Sequence, residues 1–381
     1  MSVYSLFDPT WWGYKENILL VKINAFIVRT FGPVCFISQT MYLCINYRKL
    51  TISTLLSIFS IMPATCLTNT CLFCAQRNCY KNVMKSFMTK IHLYNYKHEN
   101  DYIEKRLIKI EHYTRRVTYY LTVCLMSVCS LWIVLPIINN KNNKDAINNK
   151  TVIMQTSIYL WMPFDYEYNY MNWVIIHIIN SYVAITGSII LIMFNLAFNM
   201  VLFHLIGHIK NLKRKLETEF SMPLTGKEVK QKLSALVDYH TFIIRNFEEI
   251  QDAFGLHVTG NYCQNLLGDS LILYQIMFGE EGYWLTYGMM LLAYLGSLVL
   301  LSFVLEEIRI QSDVLPDTAY NMVWECMDVP NQKTFLLILA RAQPPLEFIS
   351  AGGLRAGVRP MIAIVKSTFS YYVMLKSTVN S

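Results

Sequence analysis

Residues 302–376 read SFVLEEIRIQSDVLPDTAYNMVWECMDVPNQKTFLLILARAQPPLEFISAGGLRAGVRPMIAIVKSTFSYYVMLK, and the punctuation of this stretch decides the fold. An apolar helix runs into two acids, Glu306 and Glu307. The segment around Ala319, Tyr320 and Trp324 is too polar to cross a bilayer. An apolar run at 334–339 then meets Arg341-Ala-Gln-Pro-Pro345 and a glycine pair, before a last apolar helix. Pro344 and Pro345 donate no backbone hydrogen bond and push the preceding residue out of helical geometry, so the helix must break there. The expectation is a final span in two pieces, one outside the lipid and one inside it.

Working outward, the whole chain is lipid-like in composition. Hydrophobic residues make up 54% of it and charged ones only 15%, whereas soluble domains carry nearer a quarter charged. That points to a multi-span membrane protein. The first thirty residues hold Asp8, Glu16 and the Trp11-Trp12 pair and lack a leader-peptide pattern, so the first span is expected to serve as its own insertion signal. The ten cysteines fall in apolar runs or on the basic side and do not read as a disulfide framework. Cys71-x-x-Cys74, followed by Cys79, has no second pair or neighbouring histidine, and packed thiols are expected rather than zinc.

In chain order, residues 1–30 read as an interfacial segment with its aromatics at headgroup level. Spans follow at 31–47, 52–75, 117–138 (ended by Pro136), 173–205, 261–278 and 283–305, the first two near the length that crosses about 30 Å of hydrocarbon. Pro63 predicts a kink in the second. Residues 279–282 form an acidic turn before the sixth. The 139–172 stretch is an Asn-rich loop holding the sequon Asn149-Lys-Thr151. Residues 206–260 are too charged for membrane, yet Leu233, Leu236, Val237, Phe242, Ile243, Phe247 and Ile250 recur at helical spacing, so spans four and five extend beyond the bilayer. The lysines and arginines concentrate at 1–30, 76–116, 206–260 and 306–333, which puts the amino terminus inside and the carboxyl terminus outside, although acids nearly cancel the charge at 206–260. A G-protein-coupled receptor has the opposite orientation, and its Asp-Arg-Tyr and Asn-Pro-x-x-Tyr motifs are missing at the required places.

Catalytic chemistry finds no support. Gly268-Asp269-Ser270-Leu271 spells an esterase nucleophile block, but no Asp-x-x-His follows and the block lies in an apolar helix. Asp269 inside a span must face a wet cavity, pair with a neighbour or be neutralised, and structural pairing is expected. There is no His-Glu-x-x-His, Walker loop or dinucleotide fingerprint, so neither cofactor nor metal is expected. The Lys210, Lys213, Arg214, Lys215 cluster at a span end suits lipid headgroups rather than nucleic acid.

The carboxyl-terminal region resembles the insect odorant receptor family. The resemblance rests on Gln311-Ser312, Leu315, residues 317–320, Trp324, Lys333, residues 336–339, Arg341, Gln343, Pro345, Ala351-Gly352, Lys366 and Phe369-Ser370-Tyr371-Tyr372. One departure is the run Ala356-Gly-Val-Arg-Pro-Met361, where many members carry Ser-Leu-acid-x-x-Phe. The resemblance implies an all-α membrane protein with seven transmembrane helices, a cytosolic amino terminus, cytosolic extensions of spans four to six and a broken seventh span. It divides the chain into 1–30, an interfacial segment; 31–305, spans one to six with the pocket; 306–345, a cytosolic anchor; and 346–381, the pore-lining span. A gustatory receptor of the same superfamily is the alternative. Those usually end in Thr-Tyr and a spaced Gln-Phe, where this chain has Ser370-Tyr371 and Lys376-Ser377.

The same resemblance implies roles. The protein would be a plasma-membrane, odorant-specific tuning subunit, since it lacks the co-receptor's long insertion between spans four and five. With co-receptor subunits it would form a heterotetrameric, odorant-gated, non-selective channel for monovalent and divalent cations. Tyr320, Trp324, Arg341 and Gln343 fall in the subunit anchor. Met374 falls at an apolar constriction and Ser377 and Thr378 at its mouth, Thr378 replacing an apolar residue of the co-receptor. Small volatile odorants would bind between spans two, three, four and six, with Trp132, Tyr182, Tyr287, Met290 and Tyr294 at suitable depth. Such a pocket binds mainly by burial, worth about 25 cal/mol per Å² of apolar area.

Overall fold

The computed structural model describes residues 6–7, 10, 13, 15, 19–98, 101–220, 225–278 and 283–379. Trp11, Trp12 and the 279–282 turn lie outside the described residues. The fold is a bundle of long helices. In order they are α1 (Leu19–Asn46), α2 (Ile52–Gln76), α3 (Asn78–Ser86), α4 (Asp101–Asn142), α5 (Lys144–Asn148), α6 (Tyr170–Thr218), α7 (Gly226–Phe278), α8 (Trp284–Asp313), α9 (Leu315–Tyr320), α10 (Val329–Ala342) and α11 (Val358–Val379). A π-helical turn, Phe87–Ile91, and single 3₁₀ turns fill the connections. The described residues hold no strand beyond one bridge between Ile349 and Arg355.

Among the described residues, α1, Thr54–Gln76 of α2, α4, α6 and the helical stretch beginning at α8 are long and apolar enough to cross a membrane. Neither α7 nor α11 reaches that mark. The reason for α7 is visible in its packing: it lies against α2, α8 and α11, and it carries buried Asn261, Gln264, Asn265, Asp269 and Gln275 inward. A helix shielded by other helices need not be lipid-like.

Helix ends follow local chemistry. Thr51 caps α2, its hydroxyl accepting from the Thr54 amide at 3.3 Å. A reciprocal capping box opens α7: the Thr225 amide donates to Glu228 Oε2 at 2.9 Å, and the Glu228 amide returns to Thr225 Oγ1 at 3.4 Å. The Thr225 amide and then its hydroxyl, both donating to Oε2, hold the Glu228 carboxyl below the usual carboxylate range. Pro316 stops α8 from continuing into α9. The break at Pro344-Pro345 divides α10 from α11 as expected.

Three boundaries differ from the sequence reading. The first helix begins at Leu19, so the interfacial segment merges into the first span. α8 runs two turns past Leu305, because nothing breaks it before Pro316. Pro136 does not end α4, which continues to Asn142 with Pro136 buried inside it. A proline removes one amide donor and frees the carbonyl four residues earlier. Here that is the Trp132 carbonyl, and it accepts from the Ser157 hydroxyl. The proline thus creates an acceptor that seats the 153–168 loop, whose Ser157, Ile158 and Leu160 are buried in the bundle. The Asn-rich stretch is therefore a built wall. Asn149 and Thr151 remain exposed.

A group of buried aromatic rings fills the junction of α6 and α7. Phe198 stacks on Phe254 with centroids 4.4 Å apart, and Phe348 packs against Phe198. Phe348 belongs to a tight hairpin between α10 and α11, closed by Ala356 N–H to Phe348 O at 2.8 Å. Gly352 and Gly353 at its tip have φ of 86° and 79°, which favours glycine. The ten cysteines are free thiols. The structure supplies the histidine that the sequence did not place near Cys71: His257 Nδ1 lies 3.4 Å from its sulfur, and His257 Nε2 is 3.3 Å from Asn195 Oδ1. No metal-binding group of three or more ligands forms among the described residues.

Candidate ligand cavity and pore helix

A cavity of about 140 Å³ lies between α1, α2, α4, α6, α8 and the buried loop. An engineered apolar cavity of roughly this size, about 150 Å³, takes up benzene. Trp132 of α4, Tyr182 of α6, and Met290 and Tyr294 of α8 all line it. Tyr287 lies outside it, on an adjoining cavity of about 30 Å³ that shares Trp132 and Ile61. Trp132 is thus the partition. Periodicity brings Met290 and Tyr294 to one face of α8, one turn apart.

Directional groups are few and mostly occupied. The Tyr182 hydroxyl donates to Asn24 Oδ1 at 2.9 Å, tying α6 to α1. Tyr287 and Ser57 hydroxyls are 2.9 Å apart, and Gln275 Nε2 donates to Ser57 Oγ at 3.3 Å. Asn69 is only partly satisfied. Its Nδ2 donates to the Gly32 carbonyl at 3.3 Å, while its Oδ1 has no donor among the described residues. Asn69 lines the cavity, so a hydrogen-bond acceptor stands open beside a mostly apolar space.

The sequence reading missed α1 and the loop as walls. Phe31 and Cys35 of α1, Ser157 and Ile158 of the loop, and Thr68 and Asn69 of α2 all contribute. Asn69 carried a signal, being a primary amide within an apolar run. Ser157 carried one only jointly with Pro136. Asp269 is fully buried on α7, and neither of its oxygens has a hydrogen-bond partner among the described residues, so the expected pairing is not formed.

The second candidate site is α11. Its inner face is held by Met361 and Thr368, both buried, with the Ser270 hydroxyl donating to the Thr368 carbonyl at 3.4 Å. Away from these contacts Ile362, Val365, Phe369 and Val373 form an exposed apolar stripe, and Met374 is exposed on another side of the helix. Ser377 is exposed, its hydroxyl returning to the Met374 carbonyl at 2.8 Å. Thr378 falls within the helix, but its side chain lies outside the described residues. The base of α11 is anchored from α8: Glu306 Oε2 accepts from the Val358 amide at 3.3 Å. Arg309 in turn donates to Glu306 Oε1, from Nε at 2.8 Å and from Nη2 at 2.6 Å. This carboxylate at a helix start suits the helix dipole, and it is how a chain with Ala356-Gly-Val-Arg-Pro-Met361 begins its last helix.

Of the anchor candidates, Trp324 packs within the chain, stacked on Phe335 at 5.8 Å with rings 9° from parallel. Tyr320, Arg341 and Gln343 face outward. Beside them Val323, Val329, Leu336 and Leu337 are exposed. His240 is buried near Arg341; burial first, then the guanidinium charge, holds its imidazole below the usual range. The Lys210–Lys215 cluster is not a free basic patch. Lys210 pairs with Glu307, Lys213 with Glu217 and Lys215 with Glu219, while Arg214 lies 4.6 Å from the Tyr102 ring centroid. Acids four residues along the same helix face account for two of these pairs.

No curated protein matches the chain. Solved structures are similar in fold. The insect olfactory receptor OR5 from Machilis hrabei aligns with a TM-score of 0.80 at 17% identity, covering 98% of this chain and 95% of that one. The same receptor in complex with eugenol aligns with a TM-score of 0.79 at 17% identity, covering 94% and 90%. The family model described as 7tm Odorant receptor matches residues 51–369, which takes in the cavity helices α2, α4, α6 and α8 and most of α11. The chain therefore belongs to the 7tm odorant receptor family, and is a multi-pass membrane receptor of olfaction rather than an enzyme.

Proposed function

We propose that this protein is an odorant-specific subunit of an odorant-gated, non-selective cation channel, built as a heterotetramer with a co-receptor in the plasma membrane. Seven spans cross the bilayer, α7 and α11 supplying the fifth and seventh, with the amino terminus cytosolic and the carboxyl terminus extracellular. The observation that carries the reading is the mostly apolar cavity on which Trp132, Tyr182, Met290 and Tyr294 converge. Tyr287 acts behind Trp132. A small volatile binds there by burial, and Asn69 Oδ1 favours one with a hydroxyl donor. The similar Machilis receptor, whose structure holds eugenol, supports a ligand of that kind.

The exposed apolar face of α11 supports its place around a shared axis. Met374 forms the constriction there, and Ser377 and Thr378 its mouth; an apolar ring of this kind gates by dewetting. Tyr320, Arg341 and Gln343, with the exposed Leu336 and Leu337, meet neighbouring subunits, while Trp324 shapes that surface from within. Odorant binds the open state more tightly and shifts the equilibrium by that difference in affinity.

Whole-cell current from cells expressing the chain with and without an insect odorant co-receptor, over a volatile panel, tests this. Fast odorant-evoked cation current only with the co-receptor is expected, altered in amplitude by Met374→Ala. Current from this chain alone refutes the obligate partnership, and a slow response abolished by G-protein blockers refutes the channel.

A further inference from the structure

A separate cavity, about 410 Å³, opens on the side of the bundle between α4, α6 and α8. It is amphipathic along its length, and all three helices agree on the direction. On α4, Arg106 and Lys109 stand at one end and Val117 at the other; on α6, Lys210 follows Phe203; on α8, Glu307 follows Leu300 and Phe303. Arg106 to Val117 spans about 16 Å at the helical rise. The charged end lies just past the apolar spans and the apolar end within them. Phe303 remains 57% exposed, although it lies on a groove wall.

The charge at the polar end is unbalanced. Lys210 is paired with Glu307, but Arg106 and Lys109 have no carboxylate partner among the described residues. Arg106 Nε is enclosed by protein and has no hydrogen-bond acceptor there. A buried donor left unmade costs free energy that an incoming oxygen recovers. Phosphate and carboxylate oxygens are the acceptors that guanidinium and ammonium groups take best.

We propose that this groove is a binding site for an anionic phospholipid, its acyl chain along Val117, Leu300 and Phe303 and its headgroup between Arg106, Lys109 and Lys210. The excess positive charge selects against a zwitterionic headgroup, which brings no net negative charge to balance it. The site is separate from the odorant cavity and rests only on α4, α6 and α8 crossing the membrane, so its test involves neither odorant nor current.

The test is native mass spectrometry of the purified full chain from nanodiscs of phosphatidylcholine with an equal share of phosphatidylserine. Preferential retention of phosphatidylserine is expected, falling about 30-fold in Arg106→Gln/Lys109→Gln on loss of two cations near the membrane surface. Lys144→Gln, at the far end of the bundle, is expected to leave retention unchanged. Because the double variant is open to a folding defect, wild-type protein is also labelled with a photoreactive phosphatidylserine and the labelled peptides are mapped. Label confined to peptides holding residues 106–117, 203–210 and 300–307 supports the site. Equal retention of both lipids, full retention by a folded double variant, or label spread over the lipid-facing surface overturns it. So does equal competition by soluble glycerophosphoserine, which lacks the acyl chain, or a neighbouring subunit cross-linked into the groove.

Discussion

The Trp132 and Tyr287 rings stand edge to face, centroids 5.8 Å apart and planes 84° apart, and this pair divides the larger cavity from the smaller one behind it. Removing one partner should therefore change ligand size preference more than overall fold. Tyr287→Phe keeps the ring, loses the Ser57 hydrogen bond and is expected to cost about 1 kcal/mol of stability. Tyr287→Ala joins the two spaces and shifts the dose–response preference toward longer volatiles of a homologous series. An unchanged length preference in a surface-expressed Tyr287→Ala receptor would refute the partition.

Asn69 should discriminate by hydrogen bonding. Asn69→Leu removes the open acceptor, so a hydroxylated ligand is expected to lose about tenfold in potency relative to its hydroxyl-free isostere. Dose–response curves for the two ligands on both receptors check this. Equal losses for both would assign Asn69 to helix packing through Gly32 instead.

Gly296 is needed where α8 meets α4. A Cβ there would fall on the Tyr120 hydroxyl, which donates to the Leu292 carbonyl at 2.8 Å. Gly296→Ala must displace that rigid ring, at a cost of about 2 kcal/mol. Melting of the detergent-solubilised protein should fall accordingly, and adding Tyr120→Phe should recover part of the loss.

The His240 imidazole, held below its ordinary range by burial and by Arg341, gives a pH dependence of defined sign. The unfolded chain protonates near pH 6.5 and the folded protein only below that, so stability falls as pH drops below about 6.5. It is fully present above that value. His240→Gln should flatten the acid limb of Tm against pH by up to about one proton. Arg341→Gln, which removes the nearby charge, should shift the limb to lower stability loss at a given acid pH.

Glu306→Gln keeps a hydrogen-bond acceptor for Val358 but removes the charge at the start of α11 and the Arg309 ion pair. A loss of about 1–2 kcal/mol in stability is expected. Gly357→Ala should have a similar effect, because a Cβ there would lie 2.7 Å from Glu306 Oε2, at a residue whose φ is 146°. Thermal melting of both variants and of the pair checks this; full additivity would mean that the two do not share one contact.

Much of the fold was legible because hydropathy and proline report directly on lipid and on broken hydrogen-bond ladders. Pro344-Pro345 separated α10 from α11, and the periodic apolar residues at 233–250 revealed the extension of α7. Pro136 misled because a proline forbids one hydrogen bond, not a helix, and the partner that compensates, Ser157, is remote in sequence. Depth arguments found four residues of the cavity wall. They could not find Phe31, Asn69 or Ile158, since which face of a helix or loop turns inward is set by neighbours that hydropathy does not name. The Lys210–Lys215 cluster looked like a patch for the same reason: its acids lie on other turns and on α8.

The Glu306–Val358 contact has a mechanical meaning. α8 is one uninterrupted rod, 30 residues and so about 45 Å long. It carries Met290 and Tyr294 on the cavity wall and Glu306 at the foot of the last helix. Fastened to α8 at its foot, lying on α7 along its inner face and bare along its outward one, α11 resembles a door leaf resting against its frame. Its base is tied to α8, so any travel of this helix belongs to the opposite end, around Met374 and Ser377.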